Sequence, residues 1–362
     1  MNIHQYLKKL DWWLIISALL LVGIGLLSIY SSSMGRHDFT NFIKQTIFLG
    51  IGIFLMIFLS LLDWRIFREN SYLILTLYLM GIFSLIGLFF FAPEIRGVKG
   101  WYKVGSFSID PIEFIKIVLL ILLAKYFSMR HIEMYRLSHI ILSGIYTILP
   151  VVLIFFQPNM GSALILVFLW VGILIISGIK IRHFLALVLC GILILIISWS
   201  FLLRNYQKER IISFFEPKIE PLGMAWSQNQ AKIAIGSGGI LGQGIGKGSQ
   251  TQYGFLPEPQ TDFIFAAIAE EIGLIGVSFL LILFVVLIWR IMRIAILAES
   301  NFPRLFASGL VLILIPQVFI HIGMNLGISP IIGLALPLVS YGGSGLIATF
   351  IGLGILQSLK IH

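Results

Sequence analysis

The sequence predicts an all-α polytopic membrane protein: ten transmembrane helices, a large extracytoplasmic loop between spans seven and eight, and both termini in the cytoplasm. Three observations lead there. Of 362 residues, 59% are apolar and only 11% charged, against about 25% charged in an average soluble domain. Apolar stretches of membrane-spanning length recur from end to end. Lysine and arginine gather in alternate short connections, as the positive-inside rule requires of a multi-spanning chain. We expect a single membrane domain, 1–362, with the loop 204–261 inside it.

A helix needs about 20 apolar residues to cross a bilayer, and ten stretches qualify: 12–30, 46–62, 72–91, 113–127, 138–156, 161–177, 184–203, 272–289, 305–326 and 331–359. The first follows a basic start but is too long for a signal peptide and has an indifferent cleavage site at Tyr30-Ser31-Ser32-Ser33, so it reads as a retained span. The fourth is short, and the last is long enough to be kinked or interrupted. With the N-terminus inside, the cytoplasmic side receives Lys8, Lys9, Arg65, Arg68, Lys180, Arg182, Arg290, Arg293 and Lys360, whereas the outer connections 157–160 and 327–330 receive none. Cys190, the one cysteine, lies in an apolar run; it can form no intrachain disulfide and reads as a small core residue.

Two outer segments carry positive charge that orientation does not demand. One is 96–116, "RGVKGWYKVGSFSIDPIEFIK", with a Trp-Tyr pair suited to the headgroup layer. Within it Glu113 and Lys116 stand three apart on one helix face, where they can pair, and ionisable groups in a span mark a polar interior. Interfacial anchoring and site support are both open. The other segment is 204–261, far beyond the roughly 12–15 residues above which a structureless connection is uncommon. Its Ile, Phe and Leu argue against disorder, and we expect it to fold back onto the membrane surface as a wall of a site.

Its glycine-rich piece, "GSGGILGQGIGKG", fails the Walker pattern, which needs a glycine where Leu241 stands and a hydroxyl where Gly248 stands. Nucleotide binding is excluded; wrapping a phosphate with backbone N–H groups and a plain flexible loop both stay open. In "QPNMG", Pro158 and Gly161 explain a tight turn, leaving Gln157 and Asn159 as minor candidates. In "MNLGISPIIGLALPLVSYGGSGL", Pro330, Pro337 and Gly342-Gly343 break helical hydrogen bonding where irregular backbone is tolerated only against protein or water, though small residues also serve close helix packing. In "TDFIFAAIAEEIG", Thr261 or Asp262 could cap the next helix. Because 272–289 alone spans about 27 Å at 1.5 Å per residue, the segment before it is expected as a helical rim whose carboxylates, Asp262, Glu270 and Glu271, face the outer zone.

Taken together, "FLPEPQTDFIFAAIAEEIGLIG", "IAIGSGGILGQGIGKGSQTQ", "LPLVSYGGSGL", "QPNMG" and "PIEFIK" resemble, in order, motifs of the SEDS glycosyltransferases (shape, elongation, division and sporulation proteins). "GKGSQTQ" and the short N-terminus look more like the RodA elongation branch than the FtsW division branch. The resemblance implies a peptidoglycan polymerase of the bacterial inner membrane, its active site outside. It would join lipid II, an undecaprenyl-pyrophosphate-linked disaccharide-pentapeptide, into glycan strands for lateral wall growth. Asp262 falls on the family's essential aspartate, Glu113 and Lys116 on its paired acid and base, Lys99 on its basic outer position, and Ser340-Tyr341-Gly342-Gly343 on its last signature. Departures are Gln260 for a common histidine, Pro259 for a frequently polar or basic residue, "DPIE" for "QPSE" at 110–113, and Asn159 for an acid.

Asp262 is expected to act as the catalytic base. Arg96, Lys99, Arg210, Lys232 and Lys247 are the candidates to receive the departing pyrophosphate, with Glu113, Lys116, Ser340 and Tyr341 also binding substrate. No cofactor is required by the residues; a divalent cation, Mg or Mn, is the one that could share the work. The expected partners are a class B penicillin-binding protein, other elongation-complex proteins, lipid II and the growing strand, with no nucleic acid. Two rivals remain: a flippase for the same lipid, which would want charges through the midplane and a repeat, and a non-catalytic scaffold, which gives no reason for an outer acid-base zone.

Overall fold

The structure, a computed structural model, describes residues 3–93, 100–130, 137–203, 205–215 and 224–362. Its first half runs α1 (Ile3–Lys9), α2 (Trp12–Arg36), α3 (Thr40–Leu61), α4 (Arg65–Glu69), α5 (Ser71–Phe91), the hairpin β1 (Tyr102–Val104) and β2 (Phe107–Ile109), α6 (Pro111–Arg130) and α7 (Leu137–Phe156). Then come α8 (Met160–Ile176), α9 (Ile181–Ile197) with a terminal π turn, α10 (Asn205–Phe215), α11 (Met224–Gly238), α12 (Ser249–Gln252), α13 (Ile264–Leu297), α14 (Asn301–Leu326) and α15 (Gly343–Ile361). The hairpin pairs antiparallel with Lys103 opposite Ser108.

Each of the ten expected spans has a helix over most of its length. Among the described residues eight helices are long and apolar enough to cross a membrane: α2, α3, α5, α7, α9, α13, α14 and α15. The other two fall short for physical reasons. Helix α8 is apolar but has only 17 residues, and α6 carries Glu113, Lys116, Lys125 and Arg130.

Helices α2 and α8 start where a side chain satisfies an orphan N–H group. Asp11 accepts from the Leu14 N–H of α2, and Asn159 accepts from the Ser162 N–H of α8. The helices pack closely where glycine permits: a Cβ at Gly354 of α15 would stand 2.8 Å from the Met56 carbonyl of α3. The core sits on α6, α14, α15 and the N-terminal part of α13. Helix α9 lies outside it and has no buried residue. Cys190, on that helix, is exposed rather than in the core, because the contact of α9 with the core runs through Leu187 on another part of its surface.

Two expected spans are broken. The tenth shortens to α15, since 327–342 is not helical; Pro330 and Pro337 cannot continue a helix, and Gly333 and Leu338 take positive φ of 73° and 66°. In α13, Gly273 has φ 72°, ψ −167°, which splits a short rim helix from the span, as the sequence suggests. The break frees backbone groups that the glycine-rich loop takes up: Gln243 and Gly244 donate to the Glu270 and Glu271 carbonyls, while Leu274 and Ile275 donate to those of Gly239 and Ile240.

The described part of 204–261 is folded. Ala231 and Ala234 of α11 join Leu256, Phe263, Ala266 and Ala267 in a second apolar cluster. Gln228 of α11 donates to the Met324 and Ser329 carbonyls at 3.0 Å each, so α11 is latched to the end of α14.

Candidate active site

One cavity of about 410 Å³ opens between β2–α6, the starts of α3, α8 and α15, α14, and the irregular stretches around Asp262 and 333–342; Asp262, Asp110, Glu113, Ser340 and Tyr341 line it. Asp262 precedes α13, and its turn is tied down from several elements. Ser340 Oγ donates to the Thr261 carbonyl (2.8 Å) and accepts from the Leu336 N–H (2.9 Å). The Tyr341 N–H donates to the Gln260 carbonyl (2.8 Å). Gln45 of α3 bridges the same stretch, donating to the Ser340 carbonyl and accepting from the Gly342 N–H. Gln260, at the position where a histidine was expected, is useful as an amide: it accepts from Asn41 Nδ2 at 2.7 Å and donates to Ser33 Oγ at 3.3 Å.

On the opposite wall Glu113 accepts from Lys116 Nζ at 2.6 Å, the pairing that their spacing suggests. The Lys116 side chain is 2% exposed and Glu113 25%, so the carboxylate reaches the cavity while the ammonium stays behind it. Asp110 caps this helix by accepting from the Ile112 N–H (2.9 Å), and its own N–H donates to Ser344 Oγ (2.8 Å). Burial, then the negative charge of Glu113, push the Asp110 carboxyl up to about 7, against the opposing pull of the Ile112 N–H and Lys116. The cavity therefore offers one carboxyl, Asp110, poised to hold a proton near neutrality.

Of the three carboxylates expected at the outer zone, only Asp262 lines this cavity. Glu270 and Glu271 turn away and are buried. Glu270 accepts from the Gln250 and Thr251 N–H groups (2.7 and 3.0 Å) and from Thr251 Oγ1. Glu271 accepts from Ser31 Oγ, Gln252 Nε2 and the Gly246 N–H. Two of the chain's own side chains are thus held by backbone N–H groups here, Glu270 by those of α12 and Glu271 by that of Gly246, the one such donor from the glycine-rich piece. Gly248 makes this possible: a Cβ there would stand 2.7 Å from Glu270 Oε2.

Arg96 and Lys99 lie outside the described residues. Arg210 on α10, Lys232 on α11 and Lys247 in the glycine-rich loop do not line the cavity; Lys232 instead lies against Gly327 at the end of α14. Among the described residues no three His, Cys, Asp or Glu side chains form a metal-binding group, so these residues do not build a protein-only cage for a divalent cation. Gln157 donates to the Leu85 carbonyl at 2.7 Å and is structural, whereas Asn159 both caps α8 and lines the cavity. Sequence reasoning missed Gln317, which lines the cavity, and His321 and Asn325 behind it. Their signal was available: polar residues at a four-residue spacing mark one face of an otherwise apolar helix.

Compared with known proteins, residues 11–362 match the family model FTSW_RODA_SPOVE, described as cell cycle protein. The chain belongs to that family. It is 38% identical over 286 residues to the peptidoglycan glycosyltransferase MrdB of Escherichia coli (strain K12), covering 79% of this chain and 77% of that protein. To stage V sporulation protein E of Bacillus subtilis (strain 168) it is 35% identical, covering 97% of this chain and 96% of that one. Among solved structures, the Thermus thermophilus rod shape determining protein RodA superimposes with TM-score 0.70 at 27% identity over 97% and 96% of the two chains. A chain of a peptidoglycan synthase complex, solved for its coordination of polymerization and crosslinking, gives TM-score 0.81 at 31% identity over 97% of each. This family member keeps the expected Asp262, Glu113 and Lys116 in one region of the fold.

Proposed function

We propose that this protein is a peptidoglycan glycosyltransferase of the inner membrane that polymerises lipid II into glycan strands for lateral wall elongation. The observation that carries the reading is the cavity itself: Asp262, fixed by hydrogen bonds from other elements to its turn, shares it with Glu113 and Asp110. Curated relatives that bear the name peptidoglycan glycosyltransferase support it. All ten helices cross the membrane and both termini are cytoplasmic. Asp11, Gln357 and Lys360 meet at the C-terminal end of α15, whereas the cavity is lined by the start of that helix, and we take the cavity end as the extracytoplasmic side.

In the reaction Asp262 takes the proton from the 4-hydroxyl of the acceptor sugar as that oxygen attacks the anomeric carbon of the donor. The bond to the lipid pyrophosphate breaks with inversion, and the pyrophosphate leaves with the electron pair. A positioned carboxylate contributes about 10²–10⁴-fold by such a proton transfer. Arg96, Lys99, Arg210, Lys232 and Lys247 remain the cations proposed to receive the pyrophosphate, with Ser340 and Tyr341 shaping the acceptor side and Lys116 holding Glu113. The polyprenyl tails lie between helices, and a class B penicillin-binding protein, the transpeptidase, binds alongside; the related chain solved within a peptidoglycan synthase complex supports this partner.

The test is the purified protein, with its transpeptidase partner, given labelled lipid II. We expect strands from the parent protein and none from Asp262→Asn, with membrane insertion intact, since the change removes charge and keeps shape. Unchanged polymer from Asp262→Asn would return this residue to the role of a helix cap. Lipid translocation without strands would point to a flippase, and neither activity to a scaffold.

A further inference from the structure

Asn325, near the end of α14, is fully buried and uses its carboxamide on both of its faces. Nδ2 donates to the Asp262 carbonyl at 3.0 Å and to the His321 carbonyl at 2.8 Å, while Oδ1 accepts from the Ala266 N–H at 3.2 Å. Asp262 and Ala266 are four residues apart, and in an ordinary helix the N–H of the second would donate straight to the carbonyl of the first. Here an amide from another helix stands between them. The first turn of α13 is consequently wound around a side chain of α14.

We propose that Asn325 is a positioning residue, splicing its carboxamide into the first turn of α13 and so setting where the Asp262 carboxylate stands in the cavity. The inference rests on the reading of Asp262 as the base. Asn325 fixes the backbone on the C-terminal side of that residue, as Ser340 fixes the Thr261 carbonyl on the N-terminal side. Its neighbour in the stripe extends the link: His321 Nδ1 is 2.8 Å from the Leu334 carbonyl, and Leu334 lines the cavity. Helix α14 therefore sets Asp262 and the facing 333–338 wall from one polar stripe. Asparagine suits the place because one short side chain must both donate and accept. Aspartate keeps the acceptor for Ala266 but turns a negative oxygen toward two carbonyls, and alanine leaves all three backbone groups without this partner.

The experiment compares Asn325→Ala, Asn325→Asp and Asp262→Asn with the parent protein, purified with the transpeptidase partner. Two readouts are used: initial rates over a lipid II titration, and hydrogen exchange of peptides covering 262–270. Displacing a base by about 1 Å can cost about 10²-fold; we expect kcat to fall by that order in both Asn325 variants with KM unchanged. Exchange should quicken in the first turn of α13 and not across α14 as a whole. If Asp262→Asn abolishes polymer while the Asn325 variants hold kcat within about twofold of the parent, with exchange unchanged, the inference is overturned and the function stands. A fall in kcat matched by a rise in KM and by faster exchange along all of α14 also overturns it, since that is general loosening. If Asp262→Asn itself polymerises, the function fails whatever Asn325 does. Should Asn325→Ala not give monodisperse protein, Asn325→Asp, nearly the same shape, decides by the same two measurements.

Discussion

Asp110 and Asp262 are carboxyls facing one cavity, yet their surroundings differ. Asp110 has a folded value raised to about 7 from its ordinary 3.8 by burial and then by Glu113. An acid raised on folding binds a proton in the native chain over a range where the unfolded chain has already lost it. Stability therefore falls as pH rises from about 4 through about 7. We expect Asp110→Asn to remove that decline, leaving the variant level with or above the parent at pH 8 in a thermal unfolding series taken from pH 4 to 8 in detergent; an unaltered slope would refute the assignment. Legibility at this scale followed chemistry. Asp262, Glu113 and Lys116 could be picked out because charge is conspicuous in an apolar chain, whereas Ser340 and Tyr341 were marked only by the family resemblance. Asp110 was noticed only as a departure from a motif. Gln317 and Asn325 are neutral, and a neutral amide in a span gives no alarm until its periodicity is counted.

For the elements, the decisive residue is Gly273. Its backbone lies in a conformation that side chains rarely adopt, and a Cβ there would press on the Ile240 carbonyl at 2.6 Å. The same glycine lets the rim helix stop and the loop 239–244 dock on the freed groups. Gly273→Ala should lower stability by about 1–3 kcal/mol from backbone strain alone, and should expose the loop. Limited proteolysis would then cut between residues 239 and 253 well before the parent is cut there, and resistance equal to the parent would contradict this account. The break itself was readable, because length left a surplus ahead of the span. What holds Glu270 and Glu271 was not: nothing in the glycine-rich stretch or the turn after it announces those contacts, since they join residues about twenty positions apart. The tenth span showed the converse, its prolines announcing an interruption but not how far the irregular chain would run.

Across the whole molecule, one carboxylate, that of Asp11, takes part in joining the two ends of the chain. Asp11 is buried, which by itself raises its carboxyl, but Arg290, the Leu14 N–H and Lys360 outweigh that and hold it below the ordinary carboxylate range. Arg290 donates through Nε at 2.9 Å, and Lys360 through Nζ at 3.2 Å. A depressed acid contributes stability that is present above its unfolded value and lost as pH falls through its folded one. Asp11→Asn should therefore lower the melting temperature at pH 7, and the gap to the parent should narrow below about pH 4. A gap that persists unchanged into acid would mean that the charge is not the cause. That the chain is a succession of apolar helices was legible because each span must satisfy its own backbone in lipid; among the described residues eight helices reach spanning length and polarity, against ten expected. Their mutual packing was not, as lipid-facing and buried apolar residues read alike: nothing in the sequence of α9 tells that it stands apart while α15 is engulfed.

The turn that carries Asp262 is riveted to four different parts of the protein: α14 through Asn325, the 336–341 stretch through Ser340 and the Tyr341 N–H, α3 by way of Gln45 and Asn41, and α2 through Ser33. An anchored group of that kind does not travel with its product. If Asp262 is the base proposed above, the sugar chain has to ratchet forward by one repeat after every addition, bringing each fresh hydroxyl to a stationary acceptor of protons, so the stepping belongs to the strand and its lipid rather than to the acid.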